Sequence, residues 1–369
     1  MSAVSLTCDV LIDTLGLGRQ GITGMERYAI EMLNGLQRLQ NRGFSFQVVV
    51  QHGSAVRGEF SRITARGPAE ILQQCWLPYA MYQTGAALVV AMGLGATVLG
   101  WWPFLVVLHD TVPWTNARLT GRRTRWYAKP TWNLALHSNR CEGVIPVSYA
   151  TQEAVCARFN GIKVFAPTGE GATDLGTGER PAGAPDRFLL VVGTNEPRKN
   201  LSGIVKAFKT LRNTSCAQDA ELVVVGRVGW GAADINDLDG VRPLGYVSDA
   251  QLAWLYDHAV GLVFVPFAEG FGLPALEAIS RRCPVLASDI PPLREIGRGS
   301  FVFADPHNIE SICKGMRELL ALGREGVAAP PQRVDDWGVA AGRLALAIDR
   351  QLTLVRQGAK RKPSLIGGG

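Results

Sequence analysis

Charged residues are scarce in this chain of 369 residues, and its cysteines follow no recognisable pattern. Asp, Glu, Lys and Arg make up 19% of the sequence and hydrophobic residues 47%, which argues against a disordered chain or a charged coiled coil. None of the seven cysteines forms a C-x-x-C pair, so we expect scattered thiols in a reducing compartment rather than disulfides or a zinc site. The N-terminal residues lack the pattern of a signal peptide, and we therefore expect a cytoplasmic protein.

Residues 71–109 contain no Asp, Glu, Lys or Arg, and such a stretch could span a membrane. A transmembrane helix needs about 20 apolar residues, but Gly93, Gly95, Gly100 and Pro103 interrupt the almost wholly apolar part, 86–108, and favour turns. Parallel strands that are covered on both faces are continuously apolar. We therefore predict two buried strands, 87–91 and 104–109, joined by a glycine-rich loop.

Strand-like and helix-like segments alternate in both halves of the chain. This alternation predicts an α/β protein with two doubly wound, Rossmann-like parallel sheets, whose ligands bind at the carboxyl ends of the strands. The further predicted strands are 9–13, 46–51, 143–147, 188–193, 221–226, 263–266 and 285–288. The predicted helices are 25–39, 151–158, 201–212, 249–258, 274–281, 309–322 and 337–356.

A segment rich in glycine, threonine, alanine and proline divides the chain into two predicted domains. We place the first domain at 1–170, a linker at 171–185 and the second domain at 186–340. A final helix, 341–357, could return to the first domain. We expect the tail, 358–369, to be disordered.

The stretch Val263–Glu277, V-F-V-P-F-A-E-G-F-G-L-P-A-L-E, carries the strongest chemical signal. A predicted strand is followed by Glu269, a glycine pair that permits close approach of a ligand, and Pro274, which suits the first turn of a helix. The amide groups and positive end of that helix would attract a phosphate, and Glu277 could bind the paired hydroxyls of a ribose. The alternative is a capped helix with a solvated acid.

A second signal lies in Gly193-Thr-Asn-Glu-Pro-Arg198-Lys199-Asn200, between a predicted strand and a predicted helix. Two adjacent cations can neutralise a pyrophosphate, the arginine by bidentate hydrogen bonds and the lysine as a point charge. Cations at the start of a helix are electrostatically unfavourable. This conflict favours a functional role over a solvated pair.

With both motifs present, the second half resembles the retaining glycosyltransferases of family four, which have the GT-B architecture of two Rossmann-like domains facing across a cleft. The likeness is weaker in the first half, at Thr23-G-M-E-R-Y28 and Val107-L-H-D110. The G-T-x-E-P-R-K-N and G-x-x-G-W variants are most similar to bacterial mannosyltransferases that build O-antigen or exopolysaccharide. In the second half the likeness covers about 115 residues, through Gly193–Asn200, Val223–Trp230, Leu244–Asp249, Glu269–Glu277, Pro284–Asp289 and Ala304–Pro306.

The resemblance implies transfer of a hexose, with mannose favoured, from a nucleotide-diphosphate sugar, with GDP-mannose favoured, to a glycan or lipid-linked saccharide. It implies retention of the anomeric configuration. Arg198 and Lys199 would hold the diphosphate, and His109 and Glu269 would contact the donor sugar. By the same resemblance, Glu277 would bind the ribose of the donor nucleotide. Further donor contacts would be Gly193, Thr194, Gly245, Tyr246, Val247, Gly270, Phe271, Gly272 and Leu273, and Gly24 would border the phosphates or the acceptor. Thr194 departs from the arginine that the family commonly has there.

Neither a metal nor another cofactor is required by this interpretation, since cations and a helix dipole replace them. The one D-x-D sequence, Asp237–Asp239, resembles nothing catalytic in this fold. Three alternatives remain open: the same transfer from a UDP-sugar, a GT-B epimerase or hydrolase, and a non-catalytic module that binds sugar nucleotides.

A basic and aromatic segment suggests contact with an anionic membrane. An alternative is a solvated helix with its aromatic side chains packed inward. The net charge of +6 comes without any nucleic-acid-binding motif, so we expect no nucleic-acid partner. The segment contains Arg122, Arg123, Arg125, Trp126 and Lys129, with Tyr127 and Trp132 among them.

Overall fold

A computed structural model describes residues 7–17, 22–39, 43–58, 60–93, 97–214, 219–236, 238–322 and 336–361. These residues form two units. The first contains the described residues of Met1–Ala117, Gly121–Gly169 and Trp337–Gly369, and the second those of Arg118–Thr120 and Glu170–Asp336.

Six parallel strands form the sheet of the first unit, in the order β3-β2-β1-β4-β5-β6. Their apolar side chains are almost all buried, except in β3 at one edge. The strands are β1 (Val10–Asp13), β2 (Phe46–Gln51), β3 (Arg62–Ala65), β4 (Leu88–Ala91), β5 (Phe104–Leu108) and β6 (Cys141–Pro146). The helices are α1 (Gly24–Arg38), α2 (Ala69–Ile71), α3 (Leu77–Thr84), α4 (Val112–Thr115), α5 (Lys129–Leu136) and α6 (Tyr149–Arg158).

The uncharged stretch forms two neighbouring strands, as its turn residues predict. β4 and β5 pair in parallel, with Val89 beside Phe104 and Ala91 beside Val106. Within the described ranges, every helix is too short or too polar to cross a bilayer. Burial on both faces of a parallel sheet accounts for the absence of charge.

The second sheet repeats this topology, with strands in the order β12-β11-β10-β7-β8-β9. The direction of strand addition reverses between β7 and β10, and ligands of doubly wound sheets bind at the carboxyl ends of strands at such a point. The strands are β7 (Phe188–Val192), β8 (Glu221–Val225), β9 (Val241–Gly245), β10 (Gly261–Phe264), β11 (Val285–Ser288) and β12 (Val302–Ala304). The helices are α7 (Leu201–Arg212), α8 (Asp249–His258), α9 (Leu273–Ser280), α10 (Pro291–Gly297) and α11 (Ile309–Leu322).

The final helix, α12 (Trp337–Arg361), belongs to the first unit. It packs against α1, where a Cβ added to Gly35 would lie 2.6 Å from the Cβ of Ala341. The helix extends beyond the predicted end at 357, so the expected disordered tail was wrong for 358–361. Those residues include an alanine, a lysine and an arginine, which are good helix formers. Residues 362–369 lie outside the described part of the chain.

The segment predicted to be a linker packs on the second unit. Leu175 and Ala184 are buried in its core, and the amide of Glu179 donates a hydrogen bond to the carbonyl of Ala250 at 3.0 Å. A composition of glycine, proline and small residues identifies an irregular backbone, but it does not show whether that backbone is anchored.

The predicted doubly wound α/β fold is confirmed, and except for α12 the predicted elements lie within two residues of those observed. The sequence analysis missed β3, β9 and β12, which are short or carry exposed residues. It also missed α2 to α5 and α10. β9 reads V-R-P-L-G and has no apolar alternation to reveal it.

Candidate functional site

The turn after β7 holds two cations at the switch point of the second sheet. A 3₁₀ turn, Pro197–Lys199, follows the strand, and Asn200 then adopts the left-handed conformation, with φ of 57°, at the start of α7. The Asn200 side chain donates hydrogen bonds to the carbonyls of Val265, at 3.2 Å, and Pro306, at 2.9 Å. These bonds tie together the loops that follow β7, β10 and β12, and they fix the two cations at one edge of the sheet.

Close backbone contact at this edge requires glycine. Gly226 follows β8 with φ of 140°, and a Cβ there would collide with the carbonyl oxygen of Gly193. Gly193 itself has φ of 144°. The loop that begins with Gly193 and half-buried Thr194 is therefore held against the loop after β8.

Arg198 and Lys199 converge on Glu269. The Lys199 Nζ lies 2.6 Å from one carboxylate oxygen and the Arg198 Nη1 lies 3.2 Å from the other. Arg198 also pairs with Glu196 at 3.1 Å. The Lys199 ammonium lies 4.9 Å from the centre of the Phe264 ring, which adds a cation–π contact. The result is a compact ionic cluster whose two cations are positioned before any ligand binds.

Burial and ion pairing shift the pKa values of this cluster in opposite directions. Burial alone would raise the pKa of Glu269, but Lys199 and Arg198 lower it to about 2. Burial lowers the pKa of Lys199, against the attraction of Glu269. The Lys199 and Glu269 side chains are only 16% and 14% exposed, so an anionic ligand would meet partly desolvated cations, where electrostatic attraction is strong.

The loop after β10 leads from Glu269 directly into α9. Gly270 and Phe271 precede Gly272, whose φ of 114° suits only glycine, and a Cβ there would lie 2.6 Å from a methyl carbon of Leu293. α9 begins at Leu273, so its first-turn amides and positive end lie immediately behind the glycine loop. The glycine loop therefore leads into a helix start, as the sequence predicts; that this arrangement binds phosphate stays a prediction.

Glu277 lies one turn inside α9 and is 4% exposed. The hydroxyl of Tyr256, a fully buried residue of α8, donates a hydrogen bond to its carboxylate at 3.1 Å. The carboxylate is therefore held in one orientation. The sequence analysis missed Tyr256 because no local pattern distinguishes it from an ordinary core residue of an amphipathic helix.

A third carboxyl group, Glu170, also lies near this cluster, and it was not predicted. It is 5% exposed. Burial raises its pKa well above the usual value, and the charges of Glu269 and Glu277 raise it further. The sequence analysis placed this residue at the end of the first domain, whereas the structure groups it with the second unit.

The predicted base-binding loop follows β9. Gly245 has φ of 68°, Val247 is buried, and Tyr246 is 55% exposed. The Arg227 guanidinium lies 4.8 Å from the centre of the Tyr246 ring. The exposed ring offers a stacking face for a planar ligand, and Arg227 is a third residue that the sequence analysis did not select.

The structure therefore gathers most of the predicted donor contacts along the carboxyl edge of one sheet. They lie at the end of β9, in the loops after β7, β9 and β10, or in the first turns of α9. The gathered residues are Gly193, Thr194, Arg198, Lys199, Gly245, Tyr246, Val247, Glu269, Gly270, Phe271, Gly272, Leu273 and Glu277.

The remaining two site residues belong to the first unit. His109 follows β5 and its ring packs edge-on against Tyr28, with centroids 4.7 Å apart. Burial lowers its pKa to about 4, so the ring is neutral at physiological pH. Its Nε2 is shielded from solvent and has no hydrogen-bond partner among the described residues. Gly24 is the exposed first residue of α1, not part of the preceding turn, because Thr23 and Glu26 form a capping box there.

The basic and aromatic segment is only partly exposed. Trp126 is 82% exposed, and Arg122 and Arg125 are exposed beside it. Trp132, by contrast, is 8% exposed and packs in the core. Arg123 pairs with Glu70 at 2.6 Å.

Tyr127 and Lys129 of this segment are also partly buried. The Tyr127 hydroxyl donates to the Glu70 carbonyl and to Gln73, at 3.1 Å each, and Lys129 is half-buried. The expected alternation of exposed basic and aromatic residues is thus reduced to Arg122, Arg125 and Trp126.

The described carboxylates of the second unit show no arrangement typical of a metal centre. Across the described ranges, no group of three or more His, Cys, Asp or Glu side chains is arranged to hold a metal ion. Asp237 of the D-x-D sequence lies outside the described residues. That no metal is needed remains a prediction.

Comparison with known families identifies the domain that contains this cluster. Residues 179–329 match the family model described as Glycosyl transferases group 1. This segment is a group 1 glycosyltransferase domain, and the resemblance to glycosyltransferases inferred from the two motifs is confirmed. Membership of family four and retention of configuration stay predictions.

Curated relatives include bacterial mannosyltransferases. The O-antigen chain mannosyltransferase B of Escherichia coli is 36% identical over 132 residues, which cover 34% of this chain and 34% of that protein. The match thus spans about a third of the length of that relative. The O-antigen chain mannosyltransferase RfbU of Salmonella typhimurium is 23% identical over 337 residues, 85% of this chain and 91% of that protein.

Solved structures share the fold over nearly the whole chain. WaaG, a glycosyltransferase involved in lipopolysaccharide biosynthesis, aligns with a TM-score of 0.65 at 16% identity, over 98% of this chain and 100% of that chain. Sucrose-phosphate synthase from Thermosynechococcus elongatus aligns with a TM-score of 0.65 at 18% identity, over 96% and 99%. At these identities the likeness concerns the fold, and the predicted GT-B fold class is confirmed.

Proposed function

We propose that this protein is a retaining glycosyltransferase of family four that transfers mannose from GDP-mannose to a glycan or lipid-linked saccharide in the synthesis of a bacterial surface polysaccharide. The observation that carries the proposal is the convergence of Arg198 and Lys199 on Glu269 at the switch point of the second sheet. The group 1 domain supports glycosyl transfer. The mannosyltransferases among the relatives support mannose as the donor sugar.

Donor binding would proceed by exchange of ion-pair partners. The diphosphate would take Arg198 and Lys199 from Glu269, since an anion with two charges attracts the pair more strongly than one carboxylate. Released from the cations, Glu269 would accept hydrogen bonds from hydroxyls of the hexose. Glu277, already oriented by Tyr256, would accept those of the ribose.

The same cations would stabilise the leaving group. As the bond between the anomeric carbon and the diphosphate breaks, negative charge collects on the phosphate oxygen, and Arg198, Lys199 and the positive end of α9 would stabilise it. The acceptor oxygen forms the new bond on the same face of the sugar. Its proton passes to the departing phosphate, so no protein base is needed in this scheme.

A binding panel tests the donor assignment. Thermal unfolding is measured with GDP-, UDP-, dTDP- and ADP-sugars, each with magnesium and with a chelator. A ligand at a hundredfold excess over its Kd stabilises the native state by about 2.7 kcal/mol. We expect a shift that is selective for GDP-mannose and independent of metal. A shift with no nucleotide-sugar contradicts the proposal.

Two outcomes would redirect the proposal. Selectivity for UDP-sugars would retain the fold and the site but replace the donor. Release of free sugar or of an epimer, without transfer to a saccharide acceptor, would favour a hydrolase or epimerase. Product analysis by mass spectrometry and by the anomeric signals in NMR distinguishes these activities and reports retention directly.

We also propose that the enzyme acts at the cytoplasmic face of the plasma membrane through a surface patch formed by Arg122, Arg125 and Trp126. Two exposed cations beside a tryptophan that is 82% exposed suit an anionic lipid surface. Sedimentation with vesicles containing phosphatidylglycerol should decrease when Arg122 and Arg125 are both changed to Glu. Arg62→Glu, at an exposed position in β3, is the control. Equal sedimentation with anionic and neutral vesicles contradicts this proposal.

A further inference from the structure

A cavity of about 320 Å³ lies in the second unit, beside the turn that carries the two cations. This volume falls within the range of small-molecule sites, about 300–1,000 Å³. Its walls come from the loops after β7, β8, β10 and β12 and from the first turns of α7 and α11. Among the described residues, none of those assigned to the donor lines it. The lining includes Glu196, Pro197, Ser202, Gly231, Phe267 and His307.

Two buried asparagines hold the walls of this cavity together. The Asn195 side chain exchanges two hydrogen bonds with the backbone of Ala233, at 2.8 and 3.0 Å. The Asn200 side chain ties the loops after β10 and β12 to the start of α7. Gly231 fits closely against Pro197, where an added Cβ would lie 3.1 Å from a ring carbon. The walls are therefore fixed before a ligand binds, which lowers the entropic cost of binding.

The cavity adjoins the ionic cluster without containing its cations. Glu196, in the wall, pairs with Arg198 at 3.1 Å. The amide of Phe267, also in the wall, donates a hydrogen bond to the Arg198 carbonyl at 2.9 Å. The side chains of Arg198 and Lys199 are directed instead to Glu269. A ligand in the cavity would therefore lie next to the donor site and would not compete for the two cations.

The lining combines an aromatic wall with hydrogen-bonding groups. The rings of Phe267 and His307 stack with their centroids 4.9 Å apart, and an aromatic surface packs well against the apolar C–H face of a pyranose ring. Both bonds from Arg198 to Glu196 end on Oε1, so Oε2 can accept a hydrogen bond. The exposed Ser202 hydroxyl and the imidazole can both donate and accept. Hydroxyl groups around an apolar ring face are the chemistry of a saccharide.

We propose that this cavity binds a monosaccharide unit of the glycan acceptor, next to the donor site. The inference rests on the proposed function, which supplies a saccharide acceptor. The unit would stack on Phe267 and His307, and its hydroxyls would bond to Glu196 and Ser202. A second point of attachment raises the effective concentration of a glycan at the donor site, so the enzyme should favour extended acceptors over single sugars.

An NMR titration with an α-linked mannotriose, followed by saturation transfer, tests the assignment. The donor site is filled with GDP-2-deoxy-2-fluoromannose, so that mannose units cannot occupy it. Ser202→Trp should abolish binding, because an indole attached at this exposed position of α7 fills the cavity. His307→Ala removes half of the aromatic wall and should weaken binding roughly tenfold. Thr210→Trp, exposed on the same helix and outside the lining, is the matched control and should bind as the wild-type protein does.

Transfer kinetics give a second measurement. In Ser202→Trp the KM for a mannose oligosaccharide should rise about tenfold or more, and the KM for GDP-mannose should stay unchanged. An unchanged thermal response to GDP-mannose shows that Ser202→Trp is folded and that its donor site is intact. In Thr210→Trp both KM values should match those of the wild-type protein.

The outcomes separate this inference from the proposed function. Equal affinities of Ser202→Trp and Thr210→Trp for mannotriose, no binding of mannotriose to the wild-type protein, or its displacement by inorganic phosphate would each overturn the role of the cavity and leave the donor assignment intact. A wild-type protein that binds mannotriose but no nucleotide-sugar refutes the proposed function and, with it, the acceptor role of the cavity.

Discussion

Replacing Glu269 with glutamine should destabilise the free protein and yet strengthen its response to GDP. In the wild-type protein the carboxylate holds Arg198 and Lys199 at 3.2 and 2.6 Å. The substitution keeps the size of the side chain and removes the charge, so the two cations lose their shared partner. GDP no longer has to displace a carboxylate, and its diphosphate restores the missing negative charge.

The pKa of Glu269 sets the magnitude. A value of about 2, against an ordinary 4.5, corresponds to about 3 kcal/mol of folding free energy when the group is ionised. Burial also lowers the pKa of Lys199, and the substitution leaves this ammonium and Arg198 without their shared carboxylate, so the loss is not offset and we expect a net loss of about 3 kcal/mol. Because the pKa is depressed, the contribution is complete above pH 4.5 and disappears as pH falls towards 2.

Thermal unfolding at neutral pH, with and without saturating GDP, measures both effects. About 3 kcal/mol should lower Tm by roughly 6–12 °C for a unit of this size, and GDP should raise Tm by more in Glu269→Gln than in the wild-type protein. Glu221→Gln is the control, because Glu221 pairs with Arg242 at 2.7 Å on the surface, where an ion pair contributes less than about 1 kcal/mol. A smaller GDP response in Glu269→Gln than in the wild-type protein would refute the exchange of ion-pair partners.

Three further changes have defined outcomes. Tyr256→Phe removes the hydroxyl that donates to Glu277 at 3.1 Å, and calorimetry should show GDP affinity reduced about fivefold with little loss of stability. The lowered pKa of His109, about 4, means that the wild-type protein loses stability as pH falls from 6.5 to 4, by up to about 3 kcal/mol. His109→Gln should lack this loss in urea unfolding at each pH. Gly226→Ala collides with the loop after β7 and should destabilise by more than about 2 kcal/mol, whereas Gly183→Ala, with φ of 76° but open space, should lose only about 1 kcal/mol; equal losses would contradict the steric argument.

The sequence reveals the parts of the site that local chemistry defines. The glycine loop before α9 and the Arg198–Lys199 pair are short motifs with fixed spacing at the ends of apolar strands. The order of the strands then places them together, because the chain ends β7 and β10 at the same edge of a doubly wound sheet. The strands themselves are recognisable because burial on both faces makes them continuously apolar.

Other features of the site depend on tertiary packing and cannot be recognised from the local sequence. Tyr256 reaches Glu277 from a different helix, and its place in α8 resembles that of any core residue. Glu170 lies at the end of an irregular segment, and only the fold shows that it is buried beside two site carboxylates. For the same reason, the sequence does not show that Trp126 is exposed and Trp132 is buried, because both tryptophans lie in the same basic segment.

Calorimetric titration of GDP-mannose into the wild-type protein and Lys199→Met, both with a metal chelator, tests the central claim most directly. Lys206→Met, an exposed position of α7, is the control for the loss of one positive charge. The account predicts one binding site in the wild-type protein, a loss of roughly tenfold or more in Lys199→Met, and unchanged affinity in the control. Equal affinity in all three proteins would contradict the assignment of the diphosphate to Lys199 and its neighbours.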